Sequence, residues 1–324
     1  MDLLMLFLYG VASYIVAVIL GPLVIEYFKK QSVKQVVREE GLESHQVKTG
    51  TPTMGGVIFM VPGLLVALVG GFVAGFAKAD LMVILGVTLG FGLVGFIDDY
   101  KKVIRKHNDG LSAKMKILGQ TLVALPLTLY IVSQSTAVWI PFTDYFLDMG
   151  ILKYAFVYIA IIATSNAVNI TDGADGLASS VTILVLAFYV YLGHALDMVP
   201  VALASTTMIG GLLGFLMFNK YPAKIFMGDV GSLALGGLVV ALAGLTQTLF
   251  LIFIVGIIYF IETLSVTLQV LYFKKTGKRI FKMSPLHHHF ELCGWHENKI
   301  LRVFSVVTLV GIVLGVISLI GRLS

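Results

Sequence analysis

The sequence predicts an all-α polytopic membrane protein with about ten transmembrane helices. Three observations carry that prediction. First, 58% of the 324 residues are hydrophobic and only 13% charged, with a mean hydropathy of +0.95. Soluble domains run about 25% charged, so this chain cannot solvate the surface of a soluble fold, and the globular soluble and disordered classes are excluded. Second, the apolar runs are unbroken over roughly 20 residues, as in Leu81–Ile97, Met198–Phe218 and Val303–Ile320. A transmembrane β-strand would instead alternate over about 10 residues. Third, the basic residues fall in alternate loops.

Taken in order, the first run, 3–26, follows Met1–Asp2 with no basic n-region, so it is expected to span and not to be cleaved. A polar stretch from about Tyr27 to Gly55 separates it from runs at 56–77 and 81–97. Runs at 116–133 and 151–168 follow a lysine-rich loop. Four more, at 176–193, 198–218, 232–247 and 249–272, lead to the second long polar stretch, Phe273–Leu301. The last run is 302–320. No soluble domain fits between them, so 1–324 reads as a single integral-membrane domain.

Counting Lys and Arg by loop gives five in the first, six in the third, none in the fifth, two in the seventh and seven in the ninth. That places 20 of the 23 basic residues on one side, with Lys78, Lys153 and Arg322 opposite. By the positive-inside rule the odd loops, approximately 27–55, 98–115, 169–175, 219–231 and 273–301, are cytoplasmic and both termini lie outside. Gly71–Gly75, Gly86–Gly90 and Gly311–Gly315 match the small-residue pattern for close helix approach. Cys293 is the single cysteine, so no intrachain disulfide forms.

The acids gather on the same side. Asp98 and Asp99 end the third run, Asp172 and Asp175 open the sixth, Asp229 opens the eighth, and Ser284-Pro-Leu-His-His-His-Phe-Glu291 lies in the ninth loop. Each has a bland reading: a helix cap for Asp175 or Asp229, a solvated membrane-edge pair for Asp98–Asp99, and a topology signal or lipid contact for the lysines at 101–106. Those readings do not account for carboxylates, three histidines and many lysines converging on one face of a chain otherwise sparing with charge. Carboxylates at a water-accessible helix end suit Mg²⁺, which takes one or two of them plus substrate phosphates. Lysines, histidines and glycine-flanked helix N-termini suit the remaining phosphate charge. No HExxH or Walker pattern is present. The set points to phosphoryl transfer at the cytoplasmic face, between a water-soluble substrate and one that arrives through the lipid.

Five motifs then carry a resemblance. They are Lys48-Thr-Gly-Thr-Pro-Thr-Met-Gly-Gly56, Gly95-Phe-Ile-Asp-Asp-Tyr100, Asn169-Ile-Thr-Asp-Gly-Ala-Asp-Gly176, Phe226-Met-Gly-Asp-Val-Gly-Ser232 and Thr276-Gly-Lys-Arg-Ile-Phe-Lys-Met-Ser-Pro-Leu-His-His-His289. In order and along nearly the whole chain, they resemble the phospho-N-acetylmuramoyl-pentapeptide-transferase branch (translocase I) of the polyprenyl-phosphate N-acetylhexosamine-1-phosphate transferases. Ala174 stands where Leu is usual and Val230 where Thr is usual.

The resemblance implies transfer from UDP-N-acetylmuramoyl-pentapeptide to undecaprenyl phosphate, giving lipid I and UMP, with Mg²⁺ required, in the bacterial cytoplasmic membrane and as a homodimer. It implies a catalytic group of Asp98, Asp99, Asp229 and His287, with Asp229 the Mg²⁺ ligand and Asp98 orienting or deprotonating the lipid phosphate. Asn169, Asp172, Asp175, Phe226 and Gln269 resemble the uridine and diphosphate pocket, with Phe226 stacking on uracil. Lys48, Thr53, Lys114 and Asn219 resemble further polar site positions, and His288 and His289 either orient His287 or cap the loop. Lys102, Lys106 or Lys114 must offset the repulsion between two anionic substrates. A phosphate monoester with a second pKa of about 6 is already largely dianionic at neutral pH, which favours direct attack over a covalent enzyme intermediate.

Three alternatives compete with this reading. A transferase using UDP-N-acetylglucosamine is opposed by the Thr-Pro-Thr-Met-Gly-Gly and Pro-Leu-His-His-His loops. An ion-coupled transporter would place its acids near the midplane, where only Glu262 lies, read here as paired within the bundle or marking a helix break. An intramembrane aspartyl protease requires Gly-x-Gly-Asp, and position 226 is Phe.

Overall fold

The computed structural model describes residues 1–31, 50–76, 78–105 and 110–323. In chain order the helices are α1 (Leu3–Lys30), α2 (Val57–Val73), α3 (Ala79–Arg105), α4 (Ala113–Gln134), α5 (Leu152–Thr171), α6 (Leu177–Ala195), α7 (Val199–Asn219), α8 (Gly228–Leu245), α9 (Ile252–Val255), α10 (Ile257–Thr276), α11 (Leu286–Leu292), α12 (Glu297–Ser318) and α13 (Ile320–Leu323). Among the described residues, nine helices are long and apolar enough to cross a membrane, and α2, 17 residues long, covers the remaining predicted run. The chain is an all-α polytopic membrane protein, as its composition requires.

Local chemistry sets several helix starts. Asp2 accepts the Leu4 N–H at 2.7 Å to begin α1, and Ser112 and His296 accept from Met115 and Asn298 to begin α4 and α12. Two differences from the sequence reading matter for function. The run predicted at 81–97 continues as helix to Arg105, so Asp98 and Asp99 sit on rigid helix and not at a frayed exit. The run predicted at 249–272 is not one span. It begins as a 3₁₀ turn at Leu249–Leu251, passes through the four-residue α9 and breaks at Gly256 before α10. Both sides of that break are apolar, so hydropathy carries no trace of it. Gly311 and Gly315 of α12 are packed within the chain, against Ile254 and Val255 of α9.

Helix α8 is the centre of the bundle: every residue from Val230 to Gly244 is buried. A helix apolar on all sides must be enclosed on all sides, and α3 and α5 are its principal neighbours. Close approach is permitted by small residues. Gly236 faces the Ser165 backbone, and a Cβ on Gly95 of α3 would overlap the Asp229 carbonyl.

The end of the bundle beyond Leu245 holds a two-stranded antiparallel hairpin, β1 (Ala137–Trp139) with β2 (Phe146–Asp148), that the sequence reading did not anticipate. Here two of the three isolated bases do structural work. Lys153, fully buried, donates to the carbonyls of Ser135 and Ala137, both at 2.7 Å, and Arg322 donates to the Thr246 carbonyl at 2.8 Å. A cation beside the carbonyls at the end of α4 satisfies groups that the helix itself leaves free.

Candidate active site

At the other end of the bundle, the C-termini of α3 and α5 meet the N-termini of α4 and α8. Residues 98, 99 and 102 lie within one turn of α3, so helical geometry brings their side chains together. Lys102 Nζ stands 2.6 Å from Asp98 Oδ2 and 3.3 Å from Asp99 Oδ1. It also reaches Asp229 Oδ2 of α8 at 3.3 Å, across 127 positions of sequence.

The first turn of α8 has no side-chain cap of its own. Asp99 supplies one from α3, accepting the Val230 N–H at 3.1 Å, where the positive end of the helix dipole favours a carboxylate. Asp98 accepts the Leu111 N–H at 2.8 Å, which ties the start of α4 to the same turn. Asp98 and Asp99 are 3% and 2% exposed, so each depends on these bonds for its charge.

Asp229 is gripped from two more helices. Lys116 of α4 reaches its Oδ2 at 2.8 Å, and Asn169 of α5 donates to its Oδ1 at 2.9 Å and to Ser232 Oγ at 2.8 Å. Lys116 lies on the inward face of α4 with the buried Gln120 and Ala124, at i, i+4 and i+8, whereas Lys114, two positions earlier, is exposed. Sequence reasoning singled out Lys114 and passed over Lys116, although the burial period of α4 separates them.

Among the described residues, Asp98, Asp99 and Asp229 alone form a cluster able to hold a metal, with one oxygen from each lying within 4.8 Å of the others. The donors fit a hard divalent cation, being all carboxylate oxygen. The ammonium of Lys102 occupies the position of a positive charge among them.

Three loops frame this cluster. Pro52 accepts the Phe226 N–H at 2.9 Å, while Gly55 and Gly56 donate to the carbonyls of Phe226 and Met227 at 2.8 Å each, so the Thr-Pro-Thr-Met-Gly-Gly loop is stitched to the segment that leads into α8. This sets buried Thr53 beside Gly228 and leaves the Phe226 ring partly exposed. Asp172 ends α5 and accepts a backbone N–H from Gly228. Burial, reinforced by the charges of Asp229, Asp99 and Asp175, raises its carboxyl well above the ordinary range.

Asp175 and Asn219 stand further back and hold backbone. Asp175 accepts the Ala223 N–H at 2.9 Å. Asn219 accepts from Gly176 N–H and Ser179 Oγ and donates to the Ile225 carbonyl, and Glu297 accepts the Asp175 N–H at 3.1 Å. Gln269 likewise clamps the ninth loop, accepting from Ile280 and Phe281 N–H and donating to the Phe281 carbonyl, each at 3.0 Å.

The three histidines divide their roles. His287 is completely buried between Glu262 of α10 and Gly173 of the α5–α6 loop. His288 Nδ1 pairs with Glu291 at 2.9 Å, and His289 Nδ1 accepts the Lys282 N–H at 3.2 Å. Lys48 and Lys106, the other expected site residues, lie outside the described residues.

Residues 81–247, just over half of the chain and spanning α3 to α8, match glycosyl transferase family 4. The chain is 45% identical over 309 residues to the phospho-N-acetylmuramoyl-pentapeptide-transferase of Shouchella clausii, covering 94% of this chain and 95% of that one. It is 47% identical over 313 residues to the enzyme of the same name from Acetivibrio thermocellus (95% and 94% covered), and 43% identical over 306 residues to that of Bacillus subtilis (94% of each). A match of this extent, with both cluster-bearing helices inside the family region, shows that the chain belongs to glycosyl transferase family 4 and, within it, to the phospho-N-acetylmuramoyl-pentapeptide-transferases.

Proposed function

We propose that the chain transfers phospho-N-acetylmuramoyl-pentapeptide from its UDP-linked donor to undecaprenyl phosphate, giving lipid I and UMP, the first membrane step of peptidoglycan synthesis. The observation that carries this reading is the near-complete coverage by relatives of that name. In this reading an oxygen of the lipid phosphate attacks the donor's β-phosphorus, the bond to the α-phosphate oxygen breaks, and UMP leaves with that oxygen. The acceptor is already dianionic near neutral pH, so the protein's task is positioning and charge neutralisation.

Asp98, Asp99 and Asp229 would hold Mg²⁺, which supplies neutralisation of the donor diphosphate. Asp98, tied to the Leu111 N–H at the start of α4, would also orient the acceptor phosphate. Lys102 and Lys116 carry positive charge to the same point. Asn169, Asp172 and Thr53 line the donor side with the Phe226 ring available to stack on uracil, while Asp175, Asn219 and Gln269 hold the loops in register. Lys48, Lys106, Lys114 and His288 complete the proposed binding set.

The asymmetry of 20 basic residues on one side supports a cytoplasmic site in the bacterial cell membrane with both termini outside; the single domain rests on the apolar runs, which leave no room for a soluble one, and the homodimer enters this reading through the family resemblance alone. The test is UMP release from each of UDP-N-acetylmuramoyl-pentapeptide and UDP-N-acetylglucosamine in the presence of undecaprenyl phosphate, with Mg²⁺ and with chelator. Release from the muramoyl donor alone, and only with Mg²⁺, is expected. Release only from UDP-N-acetylglucosamine would overturn the reading.

A further inference from the structure

Glu262 is completely buried in α10, yet its carboxylate makes no pair with lysine or arginine among the described residues. Its partners all come from the start of α11. Oε2 accepts the Leu286 N–H at 2.7 Å, Oε1 accepts the His287 N–H at 3.2 Å, and the same Oε1 stands 3.2 Å from His287 Nδ1, off the line of a hydrogen bond. Helix α11 follows Pro285 and has no side-chain cap of its own, so a glutamate 24 residues away performs that task.

The His287 ring is enclosed as fully as the carboxylate, at 0% exposure. A Cβ added to Gly173 would overlap Nε2, so only glycine admits the ring edge to the α5–α6 loop. Nε2 has no hydrogen-bond partner within the protein. Nδ1 likewise has none, so Glu262 holds the ring through the backbone N–H of the same residue. Nε2 is turned toward the loop whose next residue on one side is Asp172.

We propose that Glu262 is a positioning residue for the transfer reaction: it fixes the place and the orientation of His287, so that Nε2 is presented to the donor's diphosphate beside the α5–α6 loop. The proposal rests on the functional reading above. A buried polar atom left without a partner is costly, and the entering donor would supply the partner that Nε2 lacks.

The test is a double-mutant cycle on the full chain in bilayers, using Glu262→Gln, His287→Ala and the pair, with Glu262→Asp alongside. UMP release gives kcat and KM for each substrate, and thermal unfolding reports folding. Glu262→Gln is expected to lower kcat by roughly 10–100-fold, the range for loss of an outer partner of a functional histidine. KM for undecaprenyl phosphate should stay within about twofold and Glu262→Asp should recover part of the rate, as a role acting through His287 alone requires.

In the His287→Ala background the same change is expected to cost less than about twofold, because Glu262 then has nothing to position. Equal losses in both backgrounds would overturn the proposal, as would a Glu262→Gln variant with wild-type kcat. If Glu262→Gln does not fold, the cycle is read with Glu262→Asp, and additivity there overturns it equally. A wild-type chain that releases no UMP from the muramoyl donor defeats the functional reading instead, a distinct result.

Discussion

Replacing Lys102 by methionine keeps the length and apolar stem of the side chain and removes the ammonium that touches all three clustered carboxylates, at 2.6, 3.3 and 3.3 Å. At an effective dielectric of about 20, one unit charge pair at 3 Å interacts by roughly 5 kcal/mol before desolvation is counted. Removing one partner of a buried pair costs about 3–5 kcal/mol. The Lys102 side chain is 33% exposed, so solvent already screens part of its attraction and the lower end applies, about 3 kcal/mol. At about 2 °C per kcal/mol for a chain of this size, metal-free Lys102→Met should unfold roughly 6 °C below the wild type.

Added Mg²⁺ should restore more of that loss in the variant than it adds to the wild type, because the uncompensated carboxylates bind a divalent cation more tightly once the competing ammonium is gone. Thermal unfolding in chelator and across a Mg²⁺ titration measures the first effect, and Mn²⁺ binding by paramagnetic resonance the second, with an affinity gain of about tenfold expected per 1.4 kcal/mol. Unchanged stability in chelator, or weaker Mn²⁺ binding by Lys102→Met, would refute the assignment of Lys102 as the cluster's internal counter-ion.

Further outcomes follow from the same geometry. Lys116→Met, which strips Asp229 of its 2.8 Å partner, should lower turnover by about 10–100-fold in the same UMP-release assay, the worth of a charged hydrogen bond. Gly95→Ala would drive a methyl into the Asp229 backbone carbonyl; about 1–3 kcal/mol of destabilisation and about 100-fold less activity are expected, read from thermal unfolding and turnover. Asp172 has a raised folded-state pKa, so the folded chain holds its proton to higher pH than the unfolded chain and loses stability as pH rises through that range. Metal-free Asp172→Asn should therefore unfold at higher temperature than the wild type at pH 8, with the gap closing toward pH 4; parallel pH profiles would contradict this.

Much of the candidate site was legible in the sequence because a membrane protein of this composition cannot carry charge idly. Asp98, Asp99 and Asp229 stood out in the sequence for their scarcity, and the helix bundle brings these same residues within 4.8 Å of one another. Lys116 was missed for want of the burial phase of α4, which the polar start of that helix obscures. Asp175, Asn219 and Gln269 looked like pocket residues, and their amide and carboxylate groups hold backbone of adjoining loops. A motif records that a residue is needed and is silent on whether it faces a substrate or a neighbouring loop.

What the sequence determined by itself is what depends on local composition: ten apolar runs and the loops in which charge collects. Tertiary structure alone decided the rest. The break at Gly256 lies between segments equally apolar, so no transfer energy distinguishes a straight helix from a broken one there. The pairs Lys102–Asp229, Asn169–Asp229 and Glu262–His287 join residues 127, 60 and 25 positions apart. Hydropathy is a sum over neighbours in the chain, whereas a buried charge is stabilised by whichever group packing delivers to within about 3 Å of it.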